Sequence, residues 1–442
     1  MAVLTREDRL SLLQKLPGLP EQLGYKIVRA FRREDVEACF HDDAWAANYA
    51  LNLWEYVNRV DRLETYPWNI ALPIADVCNA RCTFCNSWLR GQAIMKPQEL
   101  ERFLPLLPTA KLIGFQGHGE PLVNPHLREL LAQVSAHIDN RAIAYIITNA
   151  LHLEKHLDML VAARVVGYNV SLNATTPKTH DIVMGLGEDG FDRALSGVRS
   201  AVALKRTNPA VYVTISMVLT ADNVHEAVDF VALGNQLGVD TIYLRTLFPL
   251  KDEIVPGLNY HRLAPREHPK YQKIFQTLRE EIALSEVRVE AQPETWEEDS
   301  LGPNLRAKAN SGLFADYTRD EAMRKFGKSL RHAETVTELT AGERVGEVAF
   351  TDHNPYGRNA PFDCAFVYHN LVTTELSFRV NPCCYMGDVP GHKKVVFDGS
   401  RPFWDYWNSE AFVFLRQSLR DGPLLGACKV CPMQGGATPA TP

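Results

Sequence analysis

A chain of 442 residues with 46% apolar and 23% charged content holds enough apolar material for one large globular domain or two. Its formal charge of −6, with no dense Lys/Arg block, gives no basic field for gripping a phosphate backbone and argues against nucleic acid as a partner. The opening Met1-Ala2-Val3-Leu4-Thr5-Arg6 lacks the basic start and apolar run of a secretory signal, and no later segment sustains about 18 apolar residues. A cytoplasmic protein without a membrane partner is the expectation.

In chain order, residues 1–66 read as a helical cap. Leu10, Leu12, Leu13 and Leu16 fall at helical spacing, and a second helical run extends from about Val36 to Val60. From Trp68 the pattern changes to short apolar runs separated by amphipathic stretches. Six strands are predicted, at Asn69–Pro73, Leu112–Phe115, Ala142–Ile147, Tyr168–Leu172, Tyr212–Val218 and Thr241–Leu244. Each gap leaves room for a return helix, so residues 67–350 are expected to form an α/β unit, a partial TIM-like barrel of parallel strands with a more polar extension. Within that extension a helix is expected from His268 to Leu284 and a strand near Val287–Glu290, while 294–347 shows no clean period. Residues 351–442 read as a small second domain with strand-like pieces at Val367–His369 and Leu376–Val380, a helix from Phe403 to Leu419, and a disordered tail from Gly435.

The nine cysteines are unevenly placed, which suits metal ligation or catalysis better than a disulfide framework in a reducing compartment. Cys39 stands alone and fits as small apolar filler. Cys78, Cys82 and Cys85 lie just after the first predicted strand, in a βα loop, on the face where barrels carry their chemistry. Three thiolates at this spacing can hold one cubane and leave one iron open, as a catalytic rather than a structural metal site requires. A structural zinc site would call for paired two-residue spacings and a fourth ligand, and a plain electron carrier for a fourth thiolate.

The Cys78-x3-Cys82-x2-Cys85 pattern, with Phe84 before the third cysteine, resembles the signature of the radical S-adenosylmethionine (SAM) superfamily. That resemblance implies a partial (βα)6 barrel, a [4Fe–4S] cluster on the three cysteines, and S-adenosylmethionine as cofactor. Other landmarks follow in order. Gly117-His118-Gly119-Glu120-Pro121 resembles the Gly-Gly-Glu-Pro stretch that receives the methionine amino group, with His118 in place of a glycine. Thr148-Asn149-Ala150 resembles a frequent Thr-Asn-Gly, and Ser171-Leu172-Asn173 with Thr179-His180-Asp181 resembles a segment whose serine binds the cofactor carboxylate. Phe84, Gly117, Gly119, Glu120, Pro121, Asn149, Ser171, Asn173 and Arg245 are thus the expected cofactor-binding residues, Arg245 as a carboxylate clamp or a group facing substrate.

Cys364, Cys383-Cys384 and Cys428-x2-Cys431 resemble the twitch domain, the shortened SPASM form, built from a β-hairpin and a helix around an auxiliary cluster. Cys364, Cys383, Cys428 and Cys431 would hold a second [4Fe–4S] cluster. Cys384 would be spare, as buried filler or as a hydrogen-atom donor, although the order of Cys383 and Cys384 could be reversed and Cys364 could take the donor role. Among such enzymes the cysteine spacing resembles that of aminoglycoside- and aminocyclitol-tailoring members. The implied reaction is oxidation of a sugar or aminocyclitol alcohol to a ketone, with an external flavodoxin- or ferredoxin-type reductant. Radical epimerisation, diol dehydration and ribosomal-peptide modification are the alternatives within the class, and an iron–sulfur electron carrier the alternative outside it.

Overall fold

The computed structural model describes residues 6–85, 87, 92–246, 265–291, 364–373, 376–381, 389–425 and 428. Its centre is a parallel wall in which chain order and spatial order coincide. Strands β1 (Asn69–Pro73), β2 (Leu112–Gln116), β3 (Ile143–Thr148), β4 (Val165–Ser171), β5 (Tyr212–Leu219), β6 (Thr241–Thr246) and β7 (Arg288–Ala291) pair successively, each parallel to the next. Sequential parallel neighbours are the winding of a (βα) barrel, here left open as the sequence predicts. A strand covered on both faces is buried along most of its length, and β5 illustrates it: Val213, Ile215, Met217 and Leu219 are fully buried, and so nearly are Thr214 and Ser216 between them.

Helices return the chain between strands: the short α5 (Pro97–Leu100), α6 (Leu127–His137), α7 (Leu153–Ala162), α8 (Pro177–Met184) and α9 (Gly190–Ala203), then α10 (Ala227–Leu237) and α11 (Tyr271–Leu284). The best-defined start is that of α8. Thr176 accepts a bond from Thr179 N at 3.3 Å, Pro177 supplies a preset first turn, and Gly185 ends the helix in the left-handed conformation.

The N-terminal helices α1 (Arg6–Gln14), α2 (Glu21–Val28), α3 (Arg33–Cys39) and α4 (Ala44–Val57) pack at the N-terminal end of the wall, near the starts of β1, β2 and the later strand β8 (Asn370–Thr373). The expected run from Val36 to Val60 is two helices, because Asp43 caps a fresh start by accepting from Ala46 N. Trp45 Nε1 donates to Ala110 O and Asn52 Nδ2 to Tyr368 O, so this layer touches both early and late chain.

The late chain departs from the sequence expectation. Val367–His369 lies in a short helix, α12 (Phe366–His369), and the strand starts one residue later as β8 (Asn370–Thr373), parallel to β1. Phe366-Val367-Tyr368 followed by His369-Asn370 and Leu371-Val372 carries no period that separates the two states. Of the second expected strand, Val380 pairs with β8 in the short antiparallel strand β9 (Val380–Asn381), and Arg379 bridges to Val396. The expected helix from Phe403 is split into α13 (Phe403–Trp407) and α14 (Glu410–Asp421), since Asn408 leaves the helix to pair its side chain with Leu63 N and O. Arg416 on α14 is fully buried and donates to Val367 O, Trp407 O and Asp61 O, tying α12, α13 and the N-terminal layer together. The region 294–347 and the tail from Gly435 lie outside the described residues.

Candidate iron–sulfur and cofactor site

Four loops meet at the C-terminal edge of β1–β4. The loop after β1 carries Cys78, Cys82 and Cys85. It is pinned to the end of α8 by two backbone bonds, Arg81 N to Met184 O and Thr83 N to Val183 O, each 2.9 Å. The loop after β2 lies beside it, with Gly119 N donating to Ala75 O (2.8 Å) and Glu120 N to Val77 O (2.9 Å). This approach is so close that a Cβ on Gly119 would sit 2.1 Å from Val77 O. The glycine is therefore required where the sequence placed it, for contact rather than flexibility.

Cys78 and Cys82 lie where burial disfavours free thiolate. Burial pushes Cys78 up to about 11 despite a bond from Ala80 N, with Glu120 and Cys85 adding to the rise. Cys82 is pushed higher still, by burial first and then by the neighbouring Cys85 and Cys78. The three thiols are thus electrostatic neighbours, and a cationic iron centre would reverse the penalty. Among the described residues no three His, Cys, Asp or Glu side chains converge on one ion position. Convergence is a need of mononuclear zinc, whereas cubane thiolates sit on separate irons. The loop also buries two polar atoms without a hydrogen-bond partner, Asn79 Nδ2 and Thr83 Oγ1. Buried donors next to three thiols suit a group rich in sulfide acceptors, so the residues present fit an iron–sulfur cluster.

Glu120 is 3% exposed and is held by three donors: Thr148 Oγ1 (2.6 Å), Asn149 N (2.7 Å) and Leu122 N (3.2 Å). Burial raises its pKa to about 7 against these bonds. A carboxylate offers roughly four acceptor positions, so one remains for a further donor. Pro121 begins the short 3-10 turn that follows. Asn149 Nδ2 donates to Asn79 Oδ1 at 2.7 Å, which links the β3 loop to the cysteine loop. Ala150, where the resembled motif has glycine, adopts φ 60°.

Ser171 ends β4, half-buried. Asn173 is 1% exposed and its side chain is engaged inside the protein, accepting from Val218 N at 2.8 Å and lying 3.0 Å from Met184 Sδ. Arg245 is in register with Val218 near the end of β6, its guanidinium 5.1 Å from the Tyr243 ring centre. Phe84 is half-buried in the turn between Cys82 and Cys85. Cys383, Cys384 and Cys431 lie outside the described residues. Cys428 is buried and Cys364 lies just ahead of α12, close enough to Tyr368 for its charge to act on the phenol.

Three residues at this site were not among those expected. Met184 Sδ lies 3.4 Å from Cys82 Sγ, Ser87 Oγ lies 3.0 Å from Cys85 Sγ, and Asn79 bonds Asn149. Asn79 and Ser87 stand within or just past the cysteine run, where position alone could have flagged them. Met184 is 102 residues from its partner and carries no local signal.

An open parallel (βα) wall with a three-cysteine loop at its C-terminal edge is an α/β fold of the partial-barrel kind. Residues 72–233 match the family model described as the Radical SAM superfamily. GTP 3',8-cyclase of Mycolicibacterium smegmatis is 36% identical over 115 residues, 24% of this chain and 31% of that protein. A probable GTP 3',8-cyclase of Saccharolobus islandicus is 27% identical over 223 residues, 49% of this chain and 66% of that protein. The FeMo cofactor biosynthesis protein NifB of Methanocaldococcus jannaschii is 25% identical over 204 residues, 39% of this chain and 68% of that protein. The chain spans between about a third and a half of the length of the first curated relatives it matches. Among solved structures, SuiB of Streptococcus suis bound to S-adenosylmethionine aligns at 14% identity over 84% of this chain and 73% of that one, with a TM-score of 0.48. These named relatives are cyclases and cofactor-biosynthesis proteins, not sugar-tailoring dehydrogenases, so the expected subtype rests on the C-terminal cysteines. Among the described residues no helix is long and apolar enough to cross a membrane.

Proposed function

We propose that this chain is a radical SAM enzyme in which Cys78, Cys82 and Cys85 hold a [4Fe–4S] cluster and Glu120 and Asn149 help seat S-adenosylmethionine. The observation that carries the reading is the convergence of the cysteine loop, the Gly117–Pro121 loop and Thr148–Asn149 at one edge of the wall. Held by Cys78, Cys82 and Cys85, such a cluster would supply one-electron reduction of S-adenosylmethionine and so the radical chemistry needed to take hydrogen from an unactivated carbon.

The protein's own part is position and charge. Glu120, kept near neutrality by burial, becomes a fixed anion when an ammonium group meets its remaining acceptor position. Thr148 and Asn149 prevent that carboxyl from rotating, and the Asn79–Asn149 bond keeps it in step with the cysteine loop. An external one-electron reductant and a cytoplasmic setting, where thiols stay reduced, belong to the same reading.

For the substrate, we infer a sugar or aminocyclitol alcohol oxidised to a ketone. Support comes from Cys364, Cys383, Cys428 and Cys431, four ligands for a second cluster that would accept the electron left after hydrogen and proton loss, with Cys384 as the spare thiol, or Cys364 in that role if Cys383 and Cys384 both ligate. A second reading, radical cyclisation of a nucleotide, is favoured by the sequence match to GTP 3',8-cyclases over the barrel. Reconstituted, reduced protein should form 5′-deoxyadenosine, and deuterium should enter it from a carbinol-labelled aminocyclitol. Transfer from ribose-labelled GTP instead would favour cyclisation. No 5′-deoxyadenosine under any condition, or unchanged yield from Cys82→Ala, would overturn the reading.

A further inference from the structure

Ser87 is 5% exposed and places two donors on one sulfur. Its hydroxyl lies 3.0 Å from Cys85 Sγ and its backbone N–H donates to the same sulfur at 3.4 Å. With a thiol at Cys85 either partner can donate across the 3.0 Å contact. A cysteine that ligates iron is a thiolate with no proton, so the Ser87 O–H must then be the donor. The other two cysteines are treated differently. Cys78 Sγ accepts from Ala80 N at 3.4 Å, and Cys82 Sγ lies against the thioether of Met184. Of the three sulfurs, Cys85 alone has a side-chain hydroxyl among the contacts set out here.

We propose that Ser87 is a positioning residue for the third cluster ligand, its hydroxyl holding the Cys85 thiolate and raising the reduction potential of the cluster. The inference rests on the reading of Cys78, Cys82 and Cys85 as cluster ligands. Reduction adds negative charge to the sulfurs, which strengthens any hydrogen bond they accept, so a donor favours the reduced state. Its loss makes the cluster harder to reduce.

The test is an EPR-monitored redox titration of the reconstituted full-length protein, following the cluster signal that changes when S-adenosylmethionine is added. Ser87→Ala should hold as much iron and sulfide per chain as the parent and titrate at a more negative potential. Ser87→Thr, which keeps the hydroxyl, should titrate with the parent. Should Ser87→Ala lose iron while Ser87→Thr keeps it, the hydroxyl is again shown to be the holding group. An unmoved potential in Ser87→Ala, or equal loss of iron in both variants with the far-UV spectrum intact, overturns the assignment. If the parent itself binds no cluster responsive to S-adenosylmethionine, the ligand reading fails along with it, which separates the two failures.

Discussion

Replacing Gly119 by alanine puts a methyl carbon 2.1 Å from Val77 O and 2.7 Å from Val77 C and Asp76 C, all of them backbone atoms that no rotamer change can move. Carbon–oxygen contacts settle near 3.3 Å, so the two loops must part by about 1.2 Å. That separation stretches the Gly119 N–Ala75 O and Glu120 N–Val77 O bonds, now 2.8 and 2.9 Å, to about 4 Å, beyond hydrogen-bonding range. Two buried backbone bonds lost, each with partners that water reaches poorly, correspond to about 2–4 kcal/mol. Val77 adjoins Cys78, so the cysteine loop moves as well. Urea unfolding followed by circular dichroism gives the stability, and iron per chain after reconstitution reports the loop. Gly18→Ala, where nothing lies within 4 Å of the added carbon, serves as the control and should be neutral to about 0.5 kcal/mol. A Gly119→Ala protein as stable as that control and loaded with the same iron would refute the steric reasoning.

Two further outcomes are expected. His369 is buried between Tyr25 OH (2.9 Å) and Asn52 Oδ1 (2.5 Å), and burial lowers its pKa to about 3. Its contribution is therefore complete above about pH 6.5 and fades as pH falls toward 3. His369→Asn should be less stable at neutral pH but show a shallower decline in urea midpoint between pH 6.5 and 4, and an unchanged slope would count against it. Glu21, 3.7 Å from that ring, is raised by burial to about 7 and works oppositely, its share fading as pH climbs from about 4.5 to 7. Ala150→Gly should raise stability by about 0.5–1 kcal/mol in the same assay, because φ 60° strains a side-chain-bearing residue; a loss would mean that its buried methyl outweighs the strain.

The barrel wall was legible because its strands are short apolar runs set between amphipathic helices. Largely buried runs such as residues 213–219 stand out most, and even the outlying Arg288–Ala291 was visible. The late chain was not, because the stretch 366–373 mixes apolar and polar residues without a clear period and changes from helix to strand at Asn370, a choice fixed by partners far away in sequence, Arg416 and β1. At the site, spacing identified the three thiols and residue type identified Glu120. Neither could reveal that Thr148 and Asn149 already occupy most of that carboxylate, or that Met184 would lie against Cys82. Those contacts span 28, 29 and 102 residues and arise only when the wall is wound.

The pairing of β8 with β1 has a consequence for biosynthesis. Asn69 and Asn370 are partners in register although 301 residues separate them, and their side chains meet at 2.6 Å. During translation the strand that leads into the cysteine loop emerges early, yet one of its edges stays open until residues 370–373 appear. At about 5–20 residues per second, that interval lasts about 15–60 s. An unpaired strand edge is a template for foreign strands for all of that time, and it is residues 370–373 that close it.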